Sequence, residues 1–497
     1  MHRKTLFVLL LALVVAVGFM GCAGEDGAQG PQGPAGEQGE KGDPGQDLTA
    51  VTYKGYANVE WACGSCHGAD IVASYEGTAH ASAYDDCVAG GNEDSPYCVQ
   101  CHVTGWDATV SHDDTSIVNN DGPDMYGFDN YFQVEGDYAA ERRDQLKNVQ
   151  CESCHGPKGS KDGMIVNNVT VTPDGDATGA MCNPCHSQYN ELAEAGHIQN
   201  ANTAHGSSCD PCHTAEGFIA ANDPDYGIAL DNMSIVNIDG FAGIGDVKTP
   251  FGCQTCHDPH SNADNNFQLR SVKDVPISSQ LDRSFTGLGQ GMLCVQCHHD
   301  RREVETIASN VSVGATGHSF GPHHSPQADM YYGVGAPRLE GMAYDTTHAH
   351  QTAAGFEGLA CVRCHMERYT TVHGTAGQLH SSHTFEPVPA PEMEGEGNTG
   401  SCAPCHTDIT TDFAQHVGAG HDITTINNKM TELAVALGFT DLDDFETNYS
   451  AVDAGQDSLT RCAAYDLEFV INDGSHGVHN PDYAYSLLQN AIDKLSE

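Results

Sequence analysis

The sequence predicts a fold of mostly coil with short α-helices and little β structure, and three observations lead to that prediction. The chain of 497 residues contains 24 Leu, five of them in the first 20 positions, against 55 Gly, which is a poor supply for an aliphatic core. Nine copies of one cysteine motif are spread along the chain. The intervals between them run from 27 to 67 residues with no constant period, which argues against a simple repeat array.

The cysteine motif is C-x-x-C-H, in which each cysteine pair is followed directly by a histidine. Its nine copies account for 18 of the 21 cysteines. Two thiols at this spacing with an adjacent imidazole are the attachment pattern of c-type haem, because the thiols add to the vinyl groups and the imidazole binds the iron. Zinc ribbons do not require the trailing histidine, and a redox C-x-x-C pair occurs once per domain.

The sequence therefore predicts a fold organised around nine covalently bound haems, whose porphyrins fill the interior in place of aliphatic side chains. The predicted attachment residues are Cys63, Cys66, Cys98, Cys101, Cys151, Cys154, Cys182, Cys185, Cys209, Cys212, Cys253, Cys256, Cys294, Cys297, Cys361, Cys364, Cys402 and Cys405. The predicted proximal iron ligands are His67, His102, His155, His186, His213, His257, His298, His365 and His406.

The surplus of histidines predicts the second axial ligand of each iron. After the nine motif histidines and His2 are set aside, 18 of the 28 histidines remain for nine positions. A haem with two histidine ligands has no open position on its iron, so it passes electrons without binding a substrate. The distal candidates are His80, His197, His205, His260, His318, His323, His348, His383 and His479.

Residues 1–21 have the pattern of a secretory signal peptide. Arg3 and Lys4 precede an apolar run that is short for a membrane span, and Cys22 follows in a sequence similar to a bacterial lipobox. Lipidation of Cys22 would make the chain an outer-membrane lipoprotein at the cell surface or an extracellular protein. Ordinary cleavage with Cys22 unmodified is the alternative, as is a periplasmic location.

Residues 22–47 continue from the anchor cysteine as a collagen-like stalk, with Gly at every third position from Gly24 to Gly45. With so few triplets, we favour a flexible spacer over a trimerising triple helix. Beyond it we predict an N-terminal multihaem region over residues 48–300 with seven motifs, and a C-terminal region over residues 301–497 with two. Helices are predicted at Met430–Leu437 and Asp482–Leu495 from their apolar periodicity.

The remaining cysteines and the charge give further expectations. Cys87 and Cys462 are left after haem and lipid attachment, which in an oxidising compartment suggests a disulfide between them. The formal charge of −47 excludes nucleic acid and anionic membrane surfaces as favoured partners, and it favours ferric iron at low potential. Oxygen-bearing side chains at Asn119–Asp124 would suit calcium, although the EF-hand spacing is absent.

Several stretches resemble known multihaem cytochromes c. Three look like surface electron-transfer cytochromes: Phe320–Met330, Cys361–Met366 and His383–Phe385. The ending Tyr465–Ala484 resembles the C-terminus of pentahaem cytochrome c nitrite reductases, in which the histidine of a His-Asn-Pro sequence is a distal ligand. That resemblance implies the same role for His479. The first haem site with His80 resembles the wider clan of octahaem reductases and hydroxylamine oxidoreductases.

Two departures from that clan bear on function. All nine motifs end in His, so the C-x-x-C-Lys catalytic haem of the nitrite reductases has no counterpart here. The third motif, Cys151–His155, lacks the histidine that the clan often carries shortly after it. Lys161 or a residue from elsewhere would have to compensate, so this haem is the candidate for an open iron position.

The sequence supports two functional hypotheses. The first is an electron conduit at the cell surface, which accepts electrons from an outer-membrane conduit and passes them to metal, mineral, other cytochromes or further copies of itself in a filament or trimer. It needs no catalytic residues. The second is a terminal reductase of nitrite, hydroxylamine or sulfur oxyanions with one open haem. The acidic surface disfavours anionic substrates, so we favour the conduit.

Overall fold

In the computed structural model, all the described residues belong to one compact unit within Lys54–Glu497. The structure describes residues 69–106, 127–155, 164–166, 169–171, 180–199, 209–222, 228–231, 234–237, 249–260, 267–278, 283–301, 321–352, 358–366, 368–370, 379–381, 383–385, 406, 421–449 and 456–497. The predicted signal peptide, Cys22, the stalk and the calcium site at Asn119–Asp124 lie outside these ranges. No helix within them is long and apolar enough to cross a membrane.

Short helices joined by irregular segments form the described chain before residue 421. The α-helices are Ala69–Glu76, Ala83–Ala89, Pro96–Val99, Asp137–Gln145, Cys151–His155, Gln188–Glu194, Gly196–Gln199, Asp210–His213, Ala215–Asn222, Cys253–Cys256, Met292–Val295, Gln327–Tyr332, Ala349–Thr352 and Ala360–His365. The 3₁₀ helices are Ala79–Ser82, Phe128–Tyr131, Ala180–Cys182 and Gly289–Gly291. The predicted class of short helices and coil is confirmed.

Many of these short helices contain motif cysteines. Cys151–His155, Cys253–Cys256 and Ala360–His365 each hold both cysteines of a C-x-x-C pair. Residues three apart lie on the same face of a helical turn, so this conformation points both thiols to one side of the chain. One helical turn is therefore enough to present the two thiols together to one haem edge.

Within the described ranges, the β structure consists of four two-stranded antiparallel pairs, in line with the prediction of little β. Met164–Val166 pairs with Val169–Val171, and Ile228–Asp231 pairs with Ser234–Asn237. Val275–Pro276 pairs with Ser284–Phe285, and Arg368–Thr370 pairs with Leu379–Ser381. In register, Met164 lies opposite Val171, Ile228 opposite Asn237, Val275 opposite Phe285 and Arg368 opposite Ser381.

The C-terminal part contains the longest helices. They are Ile423–Ala436, Leu442–Asn448, Ser458–Asp473 and Pro481–Ser496. Each is preceded by a side chain that accepts a hydrogen bond from a backbone N–H of the first turn, which satisfies a donor that the helix leaves unpaired. These capping residues are Asp422, Asp441, Asp457 and Asn480, with distances of 2.7, 2.8, 2.9 and 3.0 Å.

The two helices predicted from periodicity are confirmed with earlier starts. The first runs over Ile423–Ala436, with Leu437 as its C-cap residue. It starts about two turns before Met430 because Asp422 caps it there. The second runs over Pro481–Ser496 and begins behind Asn480. The two predicted helices do not include Ser458–Asp473, whose buried positions 461–470 follow one another without a break and include the charged residues Arg461, Asp466 and Glu468.

Three apolar clusters lie in the described part of the chain. The C-terminal cluster is the largest, and its fully buried side chains include Tyr465, Phe469, Tyr483, Leu487 and Leu488. A second cluster contains Phe128, Tyr131 and Leu146, and a third contains Ile277, Phe285 and Met292.

The predicted Cys87–Cys462 disulfide is not formed in the structure. Cys87 is a buried free thiol in the cluster around Phe128, and Cys462 is a buried free thiol in the C-terminal cluster. Cys87 lies in helix Ala83–Ala89 and Cys462 in helix Ser458–Asp473. In such a buried position, a free cysteine packs as a small hydrophobic side chain.

Candidate haem sites

Three of the motif histidines donate hydrogen bonds from Nδ1 to backbone oxygens. His102 donates to the backbone oxygen of Ala83 at 2.5 Å, His257 to that of Phe267 at 2.7 Å and His365 to that of Phe385 at 2.8 Å. A neutral imidazole has one N–H, so a proton placed on Nδ1 leaves the lone pair of Nε2 available for a metal. These partners therefore assign the tautomer that an iron ligand needs.

Six motif histidines face a second histidine at one characteristic separation. Metal–imidazole bonds are about 2.0–2.1 Å long, and a ring centre lies roughly 1.1 Å beyond its nitrogen, so two imidazoles on opposite sides of one metal have centres about 6.3 Å apart. The observed ring-centre distances are His186–His80 5.9 Å, His298–His197 5.9 Å, His213–His323 6.1 Å, His257–His383 6.3 Å, His365–His479 6.1 Å and His406–His350 6.0 Å. The pairs fit the two axial ligands of a six-coordinate haem iron.

Five of the nine distal candidates from the sequence are members of these pairs: His80, His197, His323, His383 and His479. The partner of His406 is His350. His348, the sequence candidate two positions earlier, is buried, and its Nε2 donates to the backbone oxygen of Tyr331 at 3.0 Å. Two histidines separated by one residue look alike in sequence, and only the local fold separates their roles.

Other predicted site residues are placed less fully. Cys63, Cys66, His67, Cys402, Cys405, His205 and His318 lie outside the described residues, as does Lys161. His155 ends a described helix, but its side chain is not described. His260 lies half-buried in the turn that follows the motif Cys253–His257.

Burial favours the uncharged form of several paired histidines, whereas at His479 the carboxylate of Asp473 outweighs burial and raises the pKa. Desolvation lowers the pKa of His197 to about 4, and it also lowers the pKa of His257 and His298 below the usual value. An imidazole must be neutral to bind a metal, because the lone pair of Nε2 is otherwise occupied by a proton. The environment of these histidines thus favours the ligating state at neutral pH.

Thiols from different motifs contact one another at three places. The thiols of Cys101 and Cys185 lie within hydrogen-bonding range of each other, as do those of Cys212 and Cys297 and those of Cys294 and Cys361. Backbone contacts accompany them, with Cys101 Sγ 3.9 Å from the oxygen of Pro184, Cys212 Sγ 4.0 Å from that of Gln296 and Cys361 Sγ 3.9 Å from that of Gly291. The second motif therefore adjoins the fourth, and the seventh adjoins both the fifth and the eighth.

Two family models match parts of the chain. Residues 344–497 match the family of cytochrome c552, and residues 62–122 and 128–156 match the family of cytochrome c554 and c-prime. The outer cell wall cytochrome OcwA, a solved structure, is similar over 80% of this chain and 75% of its own, with 21% identity and a TM-score of 0.43. A search of curated proteins found no match.

The family matches coincide with the cysteine motifs. The cytochrome c554 match contains the first three motifs, and the cytochrome c552 match contains the last two together with the histidines His350 and His479. Cytochromes of these families hold their haem covalently, which the C-x-x-C-H motifs of this chain suit. The paired histidines suit the iron. The chain is therefore a multihaem c-type cytochrome.

Proposed function

We propose that this cytochrome is an electron conduit with nine covalent haems, each held between two histidines. The observation that supports it is the set of six motif histidines that each face a second histidine at 5.9–6.3 Å. Bound haem supplies one-electron exchange between Fe(III) and Fe(II), and an iron with both axial positions filled has no room for a substrate. The axial residues are those named above for each described pair.

The protein's own contribution is to place its motifs in contact. A thioether sulfur is bonded to the edge of its haem, so a contact between thiols of two motifs puts two haem edges next to each other. The contacts Cys212–Cys297 and Cys294–Cys361 join the fifth, seventh and eighth motifs in one series. The contact Cys101–Cys185 joins the second and fourth motifs. Close edges are what electron transfer along the chain requires.

The location and partners belong to the same proposal. The signal pattern of residues 1–21, the lipobox-like Cys22 and the collagen-like stalk over residues 22–47 suit export and tethering to an outer membrane. Electrons would arrive from a membrane-side cytochrome and leave to an oxidised metal ion, a mineral surface or another cytochrome. Assembly into a filament or a trimer would extend the same route.

The decisive experiment is electron paramagnetic resonance of the fully oxidised holoprotein, with the haem content measured beside it as the pyridine haemochrome. The proposal expects nine haems per chain, all low-spin, and no change of spectrum with nitrite, hydroxylamine or cyanide. One high-spin haem per chain that binds nitrite or hydroxylamine would overturn the conduit and support the reductase alternative. The haem of motif Cys151–His155 would then be examined first.

Transfer itself needs a second measurement. The reduced holoprotein is mixed with a chelated ferric salt, and the Soret band is followed in time. The conduit predicts oxidation of every haem in the chain, because each is connected to the next. A subset of haems that stays reduced would show that the series is interrupted.

A further inference from the structure

A buried carboxylate contacts one of the paired histidines. The Nδ1 of His479 donates a hydrogen bond to Oδ1 of Asp473 at 2.6 Å, and the side chain of Asp473 has no solvent exposure. The ring centre of His479 lies 6.1 Å from that of the motif histidine His365. The carboxylate thus lies directly behind an axial candidate of the eighth motif.

The other paired or motif histidines with a described Nδ1 partner have a neutral one. It is a backbone oxygen for His102, His257, His350 and His365. It is the side-chain amide oxygen of Gln327 for His298 and the hydroxyl of Ser325 for His323. His479 therefore differs from these six in having a formal negative charge at the end of its hydrogen bond.

The loop around His479 holds this arrangement rigidly. Asp473 is the last residue of helix Ser458–Asp473, and the next helix begins at Pro481. The hydroxyl of Ser475 donates to Oδ2 of Asp473 and accepts from the backbone N–H of His479 at 3.1 Å. Gly477 has a φ of +89°, and a Cβ there would lie 2.8 Å from Ile426, so the turn accepts only glycine.

We propose that Asp473 sets a low reduction potential at the haem of motif Cys361–His365, by giving its distal histidine the character of an imidazolate. A carboxylate that accepts the Nδ1 proton makes the imidazole a stronger donor to iron. Ferric haem carries one more positive charge than ferrous haem, so a buried anion next to its ligand stabilises the ferric form. Asp473 is a positioning and tuning residue, which acts through His479.

The position of this haem gives the tuning a consequence, which rests on the proposed conduit. On one side, Cys361 contacts Cys294 of the seventh motif. On the other, His350, which faces His406 of the ninth motif, donates from Nδ1 to the backbone oxygen of Val478 at 3.3 Å. The tuned haem therefore lies between two neighbours, and Asp473 sets the height of a step within the series.

The test is Asp473→Asn in the full-length holoprotein, which removes the charge at nearly constant size. In a spectroelectrochemical titration, about one-ninth of the amplitude should move to higher potential, and one low-spin component of the electron paramagnetic resonance spectrum should widen its spread of g values. The control is Asp466→Asn, the same substitution at a fully buried position of the same helix, where burial raises the pKa of the carboxyl group and no hydrogen-bond partner is described. Its titration should match that of the wild type.

An unchanged curve in Asp473→Asn, or an equal shift of every component, would overturn the proposal. Should that variant fail to load haem, the wild type decides: in a titration followed by paramagnetic resonance, the low-spin haem with the narrowest g spread must be the last to be reduced. Both readouts are equilibrium potentials, so they do not depend on transfer to any acceptor. A high-spin haem in the wild type would end the conduit proposal and leave this measurement intact.

Discussion

The imidazole of His350 faces that of His406 with 6.0 Å between ring centres. His348 lies two residues earlier and contacts the ring of His350 edge-on at 5.7 Å, but its own Nε2 is bonded to the backbone of Tyr331. One histidine of this short segment is thus available to a haem, while the other supports the fold. The difference lies in the ring nitrogen that is hydrogen-bonded to the backbone, which is Nε2 in His348 and Nδ1 in His350.

Replacing these two histidines by alanine should separate the two roles. In His350→Ala, one of the nine proposed haems should lose its distal ligand, so about one-ninth of the iron should become high-spin in the oxidised protein. In His348→Ala, the iron should stay low-spin, and the free energy of unfolding should fall by about 1–3 kcal/mol because a buried side chain and its hydrogen bond to Tyr331 are lost. Paramagnetic resonance and denaturant titration measure the two effects. The reverse pattern would restore His348 as the ligand.

Tyr465 should stabilise the fold through a buried carboxylate. Its hydroxyl donates to Oδ2 of Asp300 at 2.5 Å, and both residues are buried. Tyr465→Phe should lower the free energy of unfolding by about 1–3 kcal/mol, since the carboxylate loses a donor where water is excluded. Tyr485→Phe is the matched control, because that hydroxyl is half-buried and its hydrogen bond to Gln489 is long, at 3.4 Å. Equal losses in both variants would argue against a special role for the Asp300 contact.

Glu468 should make stability fall as the pH rises. Burial raises the pKa of its carboxyl from the usual 4.5 to about 7. A raised pKa means that the folded state binds the proton more tightly, so the contribution is fully present below pH 4.5 and is lost as the pH rises through about 7. Glu468→Gln should therefore be more stable than the wild type at pH 8, by about 1–3 kcal/mol, and equal to it near pH 4.5.

Thermal unfolding at both pH values checks this dependence. Glu432→Gln provides the control, because that side chain is half exposed and paired with Lys429 on the surface. Its effect should stay within about 0.5 kcal/mol at either pH. A Glu468→Gln variant with the same stability difference from the wild type at both pH values would contradict the prediction.

Alkylation should detect Cys87 and Cys462 as free thiols. The proposed attachment of nine haems would consume the 18 motif cysteines, so in a protein that begins after Cys22 only these two thiols would be left to react. Both are buried, and burial raises the pKa of each to about 11, which makes them unreactive in the folded protein. In denaturant without reductant, mass spectrometry should find two added groups. Labelling that needs a reductant would instead establish the disulfide.

The sequence by itself determined the chemistry of this protein. Thiols and imidazole at C-x-x-C-H spacing must meet one haem, whatever the surrounding fold, because the reacting groups lie within one helical turn. The two periodic C-terminal helices were predictable for a similar reason, since an apolar face repeats over a few residues, although the caps Asp422 and Asn480 that set their starts did not enter the prediction. Helix Ser458–Asp473 lies outside that reasoning because its buried stretch 461–470 is continuous and includes the charged residues Arg461, Asp466 and Glu468.

Only the tertiary structure decided which distant groups meet. The pairing of His80 with His186, the choice of His350 over His348 and the separation of Cys87 from Cys462 all join or part residues far apart in the chain. Because all histidines have the same side chain, the sequence alone does not indicate which of them make such contacts. Their roles follow from the hydrogen-bond partner that the fold provides, as the buried carboxylate of Asp473 behind His479 illustrates.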